Sequence, residues 1–149
     1  MKELQGRASV ELDVPVKDCF ELLAAVEGYP AWFQAVSEVE ILEEERHGTP
    51  GLARAQLHVP QSPFGTRFEL FVAVRTERPG TVTLTRVPDG ACDQNRLELT
   101  WRVEDGRSTR LELEFDAAAW FVPEFIRVNG AGDGIARALV EAARTTLAR

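Results

Sequence analysis

Trp120 to Arg149, WFVPEFIRVNGAGDGIARALVEAARTTLAR, decides how the rest of the chain is read. Phe121, Phe125, Val128, Gly132, Ile135, Leu139, Ala142 and Thr146 follow one another at alternating steps of four and three. That spacing stacks side chains on one side of an α-helix. Arg127, Asp133, Arg137, Glu141 and Arg144 fall on the other side, so the stretch predicts a long amphipathic helix with one flank meant for burial. Gly130, Gly132 and Gly134 interrupt it, each costing about 1 kcal/mol relative to alanine in a helix interior. Two readings account for them. Either the helix breaks and Asp133 caps a second segment, or bare backbone lies close against a sheet or a ligand. The spacing is not G-x-G-x-x-G and no strand precedes it, which argues against a dinucleotide site.

Upstream the apolar period changes from helical to two. Val10, Leu12 and Val14 alternate with Glu11 and Asp13, which predicts a half-buried strand over Ser9–Val14. Pro15 ends it, and Val16–Val26 reads as a helix burying Val16, Cys19, Phe20, Leu23 and Leu22. Tyr29–Phe33 reads as a second short helix, with Pro30 in its first turn. Val36–Glu45 is a strand whose phase slips at Ile41-Leu42, the mark of a bulge. A turn at His47–Gly51 leads to a strand carrying Ala53, Ala55, Leu57 and Val59, and Pro60–Gly65 is a loop with Phe64 at its tip.

Four further strands present Phe68, Leu70, Val72 and Val74; Val82, Leu84 and Arg86; Leu97, Leu99, Trp101 and Val103; and Leu111, Leu113, Phe115 and Ala117. Arg78-Pro79-Gly80-Thr81 suits a type II turn with Pro79 and Gly80 central. A two-residue Asp105-Gly106 turn would bring opposite faces together. A loop over Glu104–Gly106 with Gly106 left-handed pairs Leu99 with Leu111 and keeps the apolar set on one side. The expected cross-strand rows are Val72, Leu84, Leu99, Leu111 and, beside it, Leu70, Arg86, Leu97, Leu113. About seven antiparallel strands, two short helices after the first and a long final helix make an α+β fold, a curved sheet covered by one helix.

The chain's 149 residues, 44% hydrophobic and 28% charged, suit one globular domain with a real core. Seventeen Lys and Arg against 24 Asp and Glu give a net charge of -7, which repels phosphate backbones and argues against nucleic acid as a partner. No apolar run is long enough to span a bilayer and the first residues lack a signal-peptide core, so a cytoplasmic location without membrane insertion is expected. Cys19 and Cys92 lack C-x-x-C spacing and read as a buried small side chain and a loop thiol.

Val10–Leu23, VELDVPVKDCFELL, followed by Gly28-Tyr29-Pro30-Ala31-Trp32, resembles the START-like or SRPBCC superfamily, with its polyketide cyclase/dehydrase, lipid-transport and coenzyme Q-binding branches. The order of elements resembles it along the whole chain, residues 1–149, and the motif over about the first 40 residues. The resemblance implies a helix-grip fold with a hydrophobic pocket between sheet and final helix. The residues agree in one respect: small Ala53 and Ala55 face the sheet side and Gly132 the helix side, where a curved sheet cannot collapse everywhere. The expected pocket lining is Trp32, Phe68, Leu70, Val72, Leu84, Arg86, Leu99, Trp101, Phe115, Phe125 and Val128.

Arg86 falls in an apolar row, so it either meets a carboxylate, carbonyl or phenolate of a ligand or runs its stem along the strand end to reach water. Trp32 and Trp101 either stack on a flat ligand or are plain core, and Trp120 anchors the start of the final helix. His47 and His58 have no carboxylate or cysteine at ligand spacing, so no metal is expected, and no cofactor is implied. Glu38, Glu40 and Glu43–Glu45 fall mostly on the solvent phase of a strand. The expected activity is binding or transport of a small hydrophobic ligand: a lipid, quinone or aromatic polyketide. The alternatives are a polyketide aromatase/cyclase or dehydratase, with Arg86, Tyr29 or a water assisting enolisation, and a protein-interaction module. No inward His, Asp or Glu stands out as a general base, so no catalytic residue is assigned and binding is favoured over catalysis. The oligomeric state is open and admits a homodimer.

Overall fold

In a computed structural model of the chain, residues 2–46, 49–58, 67–119 and 131–148 are described. The strands are β1 (Lys2–Leu12), β2 (Val36–Arg46), β3 (Thr49–His58), β4 (Arg67–Glu77), β5 (Thr81–Arg86), β6 (Arg96–Glu104) and β7 (Thr109–Ala119). The helices are α1 (Val16–Ala24), α2 (Tyr29–Trp32) and α3 (Ala131–Leu147), with a single 3-10 turn at Val26–Gly28 between the first two. The readings made for His47, Val59, Phe64, Trp120, Phe121, Phe125, Arg127 and Val128 lie outside the described residues. The strands form one antiparallel sheet in the order β1-β7-β6-β5-β4-β3-β2, the α+β helix-grip arrangement expected.

Alternation governs which side chains enter the core. Along β4, Leu70, Val72, Val74 and Thr76 are buried and the residues between them exposed. The same face carries Val82 and Leu84 from β5, Trp101 and Val103 from β6, and Leu111, Leu113 and Phe115 from β7. Cys19, Phe20 and Leu23 of α1 cover one end of that face. The two edge strands are protected by different means. β2 carries Glu38 and Glu40, which share Arg54 of β3 with Glu69 of β4 on the outer face. On β1, Asp133 Oδ1 of α3 accepts the Arg7 backbone N–H at 3.0 Å.

Several expectations need correction in detail. β1 begins at Lys2 rather than Ser9, because its first half pairs with β7 all the way to Ala119. Leu99 faces Phe115, not Leu111, and the β6–β7 ladder closes at Glu104 and Arg110 around a longer loop. Gly106 does not have a positive φ. A loop lengthened by an even number of residues leaves every side chain on its own face, so face alternation alone could not choose between the two registers. What chooses is tertiary: Thr109 Oγ1 donates to Val14 O and Ser108 Oγ to Glu11 Oε2, tying this hairpin to the end of β1.

Leu84 likewise faces Val74 rather than Val72, while its pairing with Leu99 is as expected. Gly80 does not have a positive φ either, so the type II reading fails. The Gly80 carbonyl accepts Val103 N–H at 2.7 Å, and a Cβ on Gly80 would fall 2.1 Å from Val103 O. Close approach of two backbones, not left-handed geometry, requires glycine there. The slip at Ile41-Leu42 is present as a register shift between Ile41 and Glu43.

In α3 the buried flank is Gly132, Ala136, Leu139, Val140 and Ala143. Ile135, expected inside, is 37% exposed. The expected stripe keeps the helical period and only its phase is off: the true flank is rotated toward Ala136, Val140 and Ala143. Asp133 lies inside the first turn instead of capping it, since the helix starts at Ala131. The close-approach reading of the glycines holds for Gly132: a Cβ there would fall 1.7 Å from Gln5 O, and one on Gly6 would fall 2.1 Å from Gly132 O. Gly134 has nothing within 4 Å, and no contact explains it.

Candidate functional site

β1 ends at Leu12 and Pro15 opens α1 at its N-cap, so the chain turns back over the concave face, where Cys19, Phe20 and Leu23 are buried. The Tyr29 O–H donates to Leu23 O at 2.7 Å, which satisfies a carbonyl at the α1 C-terminus and fixes α2 against α1. Burial pushes the Tyr29 phenol far above its ordinary value, and the nearby Trp101 indole offsets this only in part. α2 then delivers Trp32 onto the sheet. Its ring lies 4.9 Å from that of Tyr29 and 6.3 Å from those of Phe33 and Trp101, the last in an edge-to-face arrangement.

Trp101 is 0% exposed and its indole N–H lies against the Tyr29 oxygen, so the buried indole donor that meets no acceptor is Nε1–H of Trp32. A buried donor left unpaired costs about 1–3 kcal/mol, so the Trp32 indole is an unusual expense for plain core.

Away from this cluster the concave face is less tightly covered. Ala55 and Leu57 of β3, Phe68 of β4, Leu97 and Leu99 of β6, and Phe33 point to the same side but are only partly buried. The pairings Ala55–Leu70, Ala53–Val72, Val72–Arg86, Leu84–Leu99 and Leu99–Phe115 bring the strand residues of the expected lining onto one face, with Trp32 packed against the same core. Phe125 and Val128 lie outside the described residues. Two surface depressions, of about 350 Å³ at Leu12–Val16 with Asp105–Thr109 and of about 430 Å³ at Arg7–Ser9 with Arg110, Glu112 and Asp133, lie apart from this aromatic cluster.

Arg86 occupies the inward position expected, but its guanidinium is neither free nor simply in water. Nη2 pairs with Asp93 Oδ2 at 2.6 Å and Nη1 donates to Asn95 O at 3.0 Å, with the two side chains 12% and 9% exposed. Its buried Nε–H has no partner. Asp93 also accepts the backbone N–H groups of Asp89 and Asn95. The Arg86 hydrogen bond, followed by those two amides, holds the Asp93 carboxyl well below the usual carboxylate range. Reading the sequence missed Asp93. Its signal was present: an aspartate two residues before Asn95, just ahead of a strand, is an Asx-turn pattern.

Few groups here could move a proton. Desolvation raises the Cys19 thiol to about 11, which leaves it protonated and inert. His58 lies on the outward phase of β3, and its buried Nδ1 has no partner. Among the described residues no group of three His, Cys, Asp or Glu could hold a metal ion, and no helix is long and apolar enough to cross a membrane.

The family model for polyketide cyclase / dehydrase and lipid transport matches residues 12–144. The chain belongs to this family. A START superfamily protein from Mycobacterium smegmatis has the same fold at a TM-score of 0.75 and 18% identity, covering 97% of each chain. The Zhui aromatase/cyclase from Streptomyces sp. R1128 matches at a TM-score of 0.60 and 22% identity, over 99% of this chain and 87% of that one. The major latex-like protein 151 from Panax ginseng matches at 0.66 and 11% identity, over 97% of each. At such identities these likenesses speak for the fold and not for a ligand. No curated protein sequence matches significantly.

Proposed function

We propose that this member of the polyketide cyclase / dehydrase and lipid transport family binds a small hydrophobic ligand on the concave face of its sheet, beneath α3. The observation that carries the reading is the uneven packing of that face. Around Trp101, Leu111 and Leu113 the inward side chains are fully buried, whereas Leu57, Phe68, Leu97 and Leu99 on the same face are not. An apolar surface left partly uncovered inside a fold is the usual wall of a ligand site. Aromatase/cyclase chemistry is the second reading, favoured by the structural likeness to the Zhui aromatase/cyclase. Against it, Tyr29 is committed to Leu23 O and Arg86 to Asp93, so neither is at liberty as a proton donor.

Native mass spectrometry of the protein purified from its own cells tests the reading. A co-purifying lipid or aromatic compound that leaves on denaturation is expected. Protein that is empty, and that takes up no added apolar ligand, would overturn it.

A further inference from the structure

The face of the sheet turned away from α3 carries a pattern of its own. Along β4 its residues are Arg67, Glu69, Phe71, Ala73, Arg75 and Glu77, all exposed. Read backwards, this row is its own complement: about the position of Val72, Arg67 answers Glu77, Glu69 answers Arg75, and the ring of Phe71 answers the methyl of Ala73. Uncharged side chains flank the middle of the row. Ala73 pairs with Leu52 of β3 and Thr85 of β5, and the Val87 N–H donates to Phe71 O at 2.7 Å. Leu42 is the extra residue where the β2 register shifts, opposite the step from Leu52 to Ala53. Phe71, Leu42 and Val87 are 42%, 41% and 38% exposed, three of the four large apolar side chains that the described residues leave in solvent. Exposed apolar side chains gathered within a charged border mark an interaction surface.

We infer that this outer face docks a second copy of the chain, about a twofold axis that lies between the two sheets and crosses β4 over Val72. Such an axis reverses the strands and makes one patch complementary to itself. Phe71 then packs over the partner's Ala73, and Glu69 and Arg67 meet the partner's Arg75 and Glu77. Face-to-face sheets stand about 10 Å apart and run within about 30° of each other, a gap that an arginine and a glutamate bridge with extended stems. Charge selects this occupant over others. At one end of the row a single Arg54 is shared by Glu38, Glu40 and Glu69, an acidic excess, whereas Arg75 reverses the sign toward the other end. A uniformly basic or acidic partner matches only one end, and the chain's own row matches both. The outer face of β2–β5 between Glu69 and Arg75 covers roughly 400 Å² in plan, below the ~800 Å² per partner of a standard interface. That area, with a net charge of -7 on each copy, makes the dimer weak and concentration-dependent. The inference is independent of the ligand-binding reading, which concerns the opposite face.

Analytical ultracentrifugation of the intact protein from about 5 µM to about 1 mM tests it, with a dimer dissociation constant expected on the order of 10–100 µM. Phe71→Glu should weaken the dimer roughly tenfold or more, since it places a charge at the centre of the patch. Arg75→Glu sets like charges against each other on both sides of the axis and should also weaken it roughly tenfold. Adding Glu69→Arg to that variant restores opposite charges and should return the constant to within about threefold of the parent, which loss of a structural role would not do. All three positions are exposed, so thermal unfolding of each variant at low concentration should match the parent and show that the monomer is intact. A protein that stays monomeric to about 1 mM, or a dimer indifferent to Phe71→Glu, would overturn the inference. A charge swap that recovers nothing would overturn the axis on which it rests.

Discussion

Replacing Gly132 by alanine and, separately, Gly134 by alanine should move stability in opposite directions, although the two glycines are two residues apart in one helix. Alanine is intrinsically better in a helix by about 1 kcal/mol, and propensity alone predicts a gain at both. At Gly134 nothing stands within 4 Å of the new Cβ, so the gain should survive, at about 0.5–1 kcal/mol. At Gly132 the Cβ would fall 1.7 Å from Gln5 O and 2.5 Å from Gln5 C, both backbone atoms of an ordered strand. No rotamer relieves such a contact, so α3 must lift from β1 and disturb Leu139, Val140 and Ala143 on the same flank.

Overpacking of this kind costs typically ~1–3 kcal/mol, and a clash of backbone on both sides belongs at the upper end. Set against the propensity gain, the net loss is about 2 kcal/mol. For a domain of this size that corresponds to a Tm lower by about 4–8 °C, against a rise of about 1–4 °C for Gly134→Ala. Scanning calorimetry, supported by urea unfolding followed through tryptophan fluorescence, measures both. Gly6→Ala should behave like Gly132→Ala, and the double variant should cost less than the sum, because the helix is already displaced. A Gly132→Ala protein as stable as the parent would refute the claim that α3 crosses β1 in backbone contact.

Thr109→Val keeps the side-chain volume but leaves the Val14 carbonyl without its hydroxyl, and should cost about 1 kcal/mol in urea unfolding. Tyr29→Phe should cost about 1–2 kcal/mol for the lost bond to Leu23 O. It should leave ligand affinity nearly unchanged; a large loss of affinity with intact stability would instead place Tyr29 in the binding chemistry. Because the Asp93 carboxyl is held below its ordinary value of 3.8, its contribution to stability is full above that pH and fades as pH falls through the folded-state value. The stability difference between the parent and Asp93→Asn should therefore be constant between about pH 5 and about pH 7 and shrink in acid. A difference that does not depend on pH would show that Asp93 acts through shape and not charge.

Alternation along the strands was enough to predict which side chains enter the core, since a period of two leaves each residue only two choices of face. Leu70, Val72, Leu84, Trp101 and Phe115 were legible in this way, and so was the order of elements. Register was legible for Leu84 against Leu99 but not elsewhere. Shifting a hairpin by an even number of residues preserves every face, so the sequence could not place Leu99 against Phe115, and contact between the β6–β7 loop and the end of β1 decided it. Nor could the sequence tell which glycine of the α3 stretch is needed: Gly132 and Gly134 look alike until β1 lies beneath only one of them. Arg86 could be placed on the inner face from sequence, but its partner Asp93 comes from a loop whose path follows from turn hydrogen bonds rather than from any period. The unpaired indole donor of Trp32 belongs to the tertiary structure alone, because whether an N–H finds an acceptor depends on what the fold brings within about 3 Å of it.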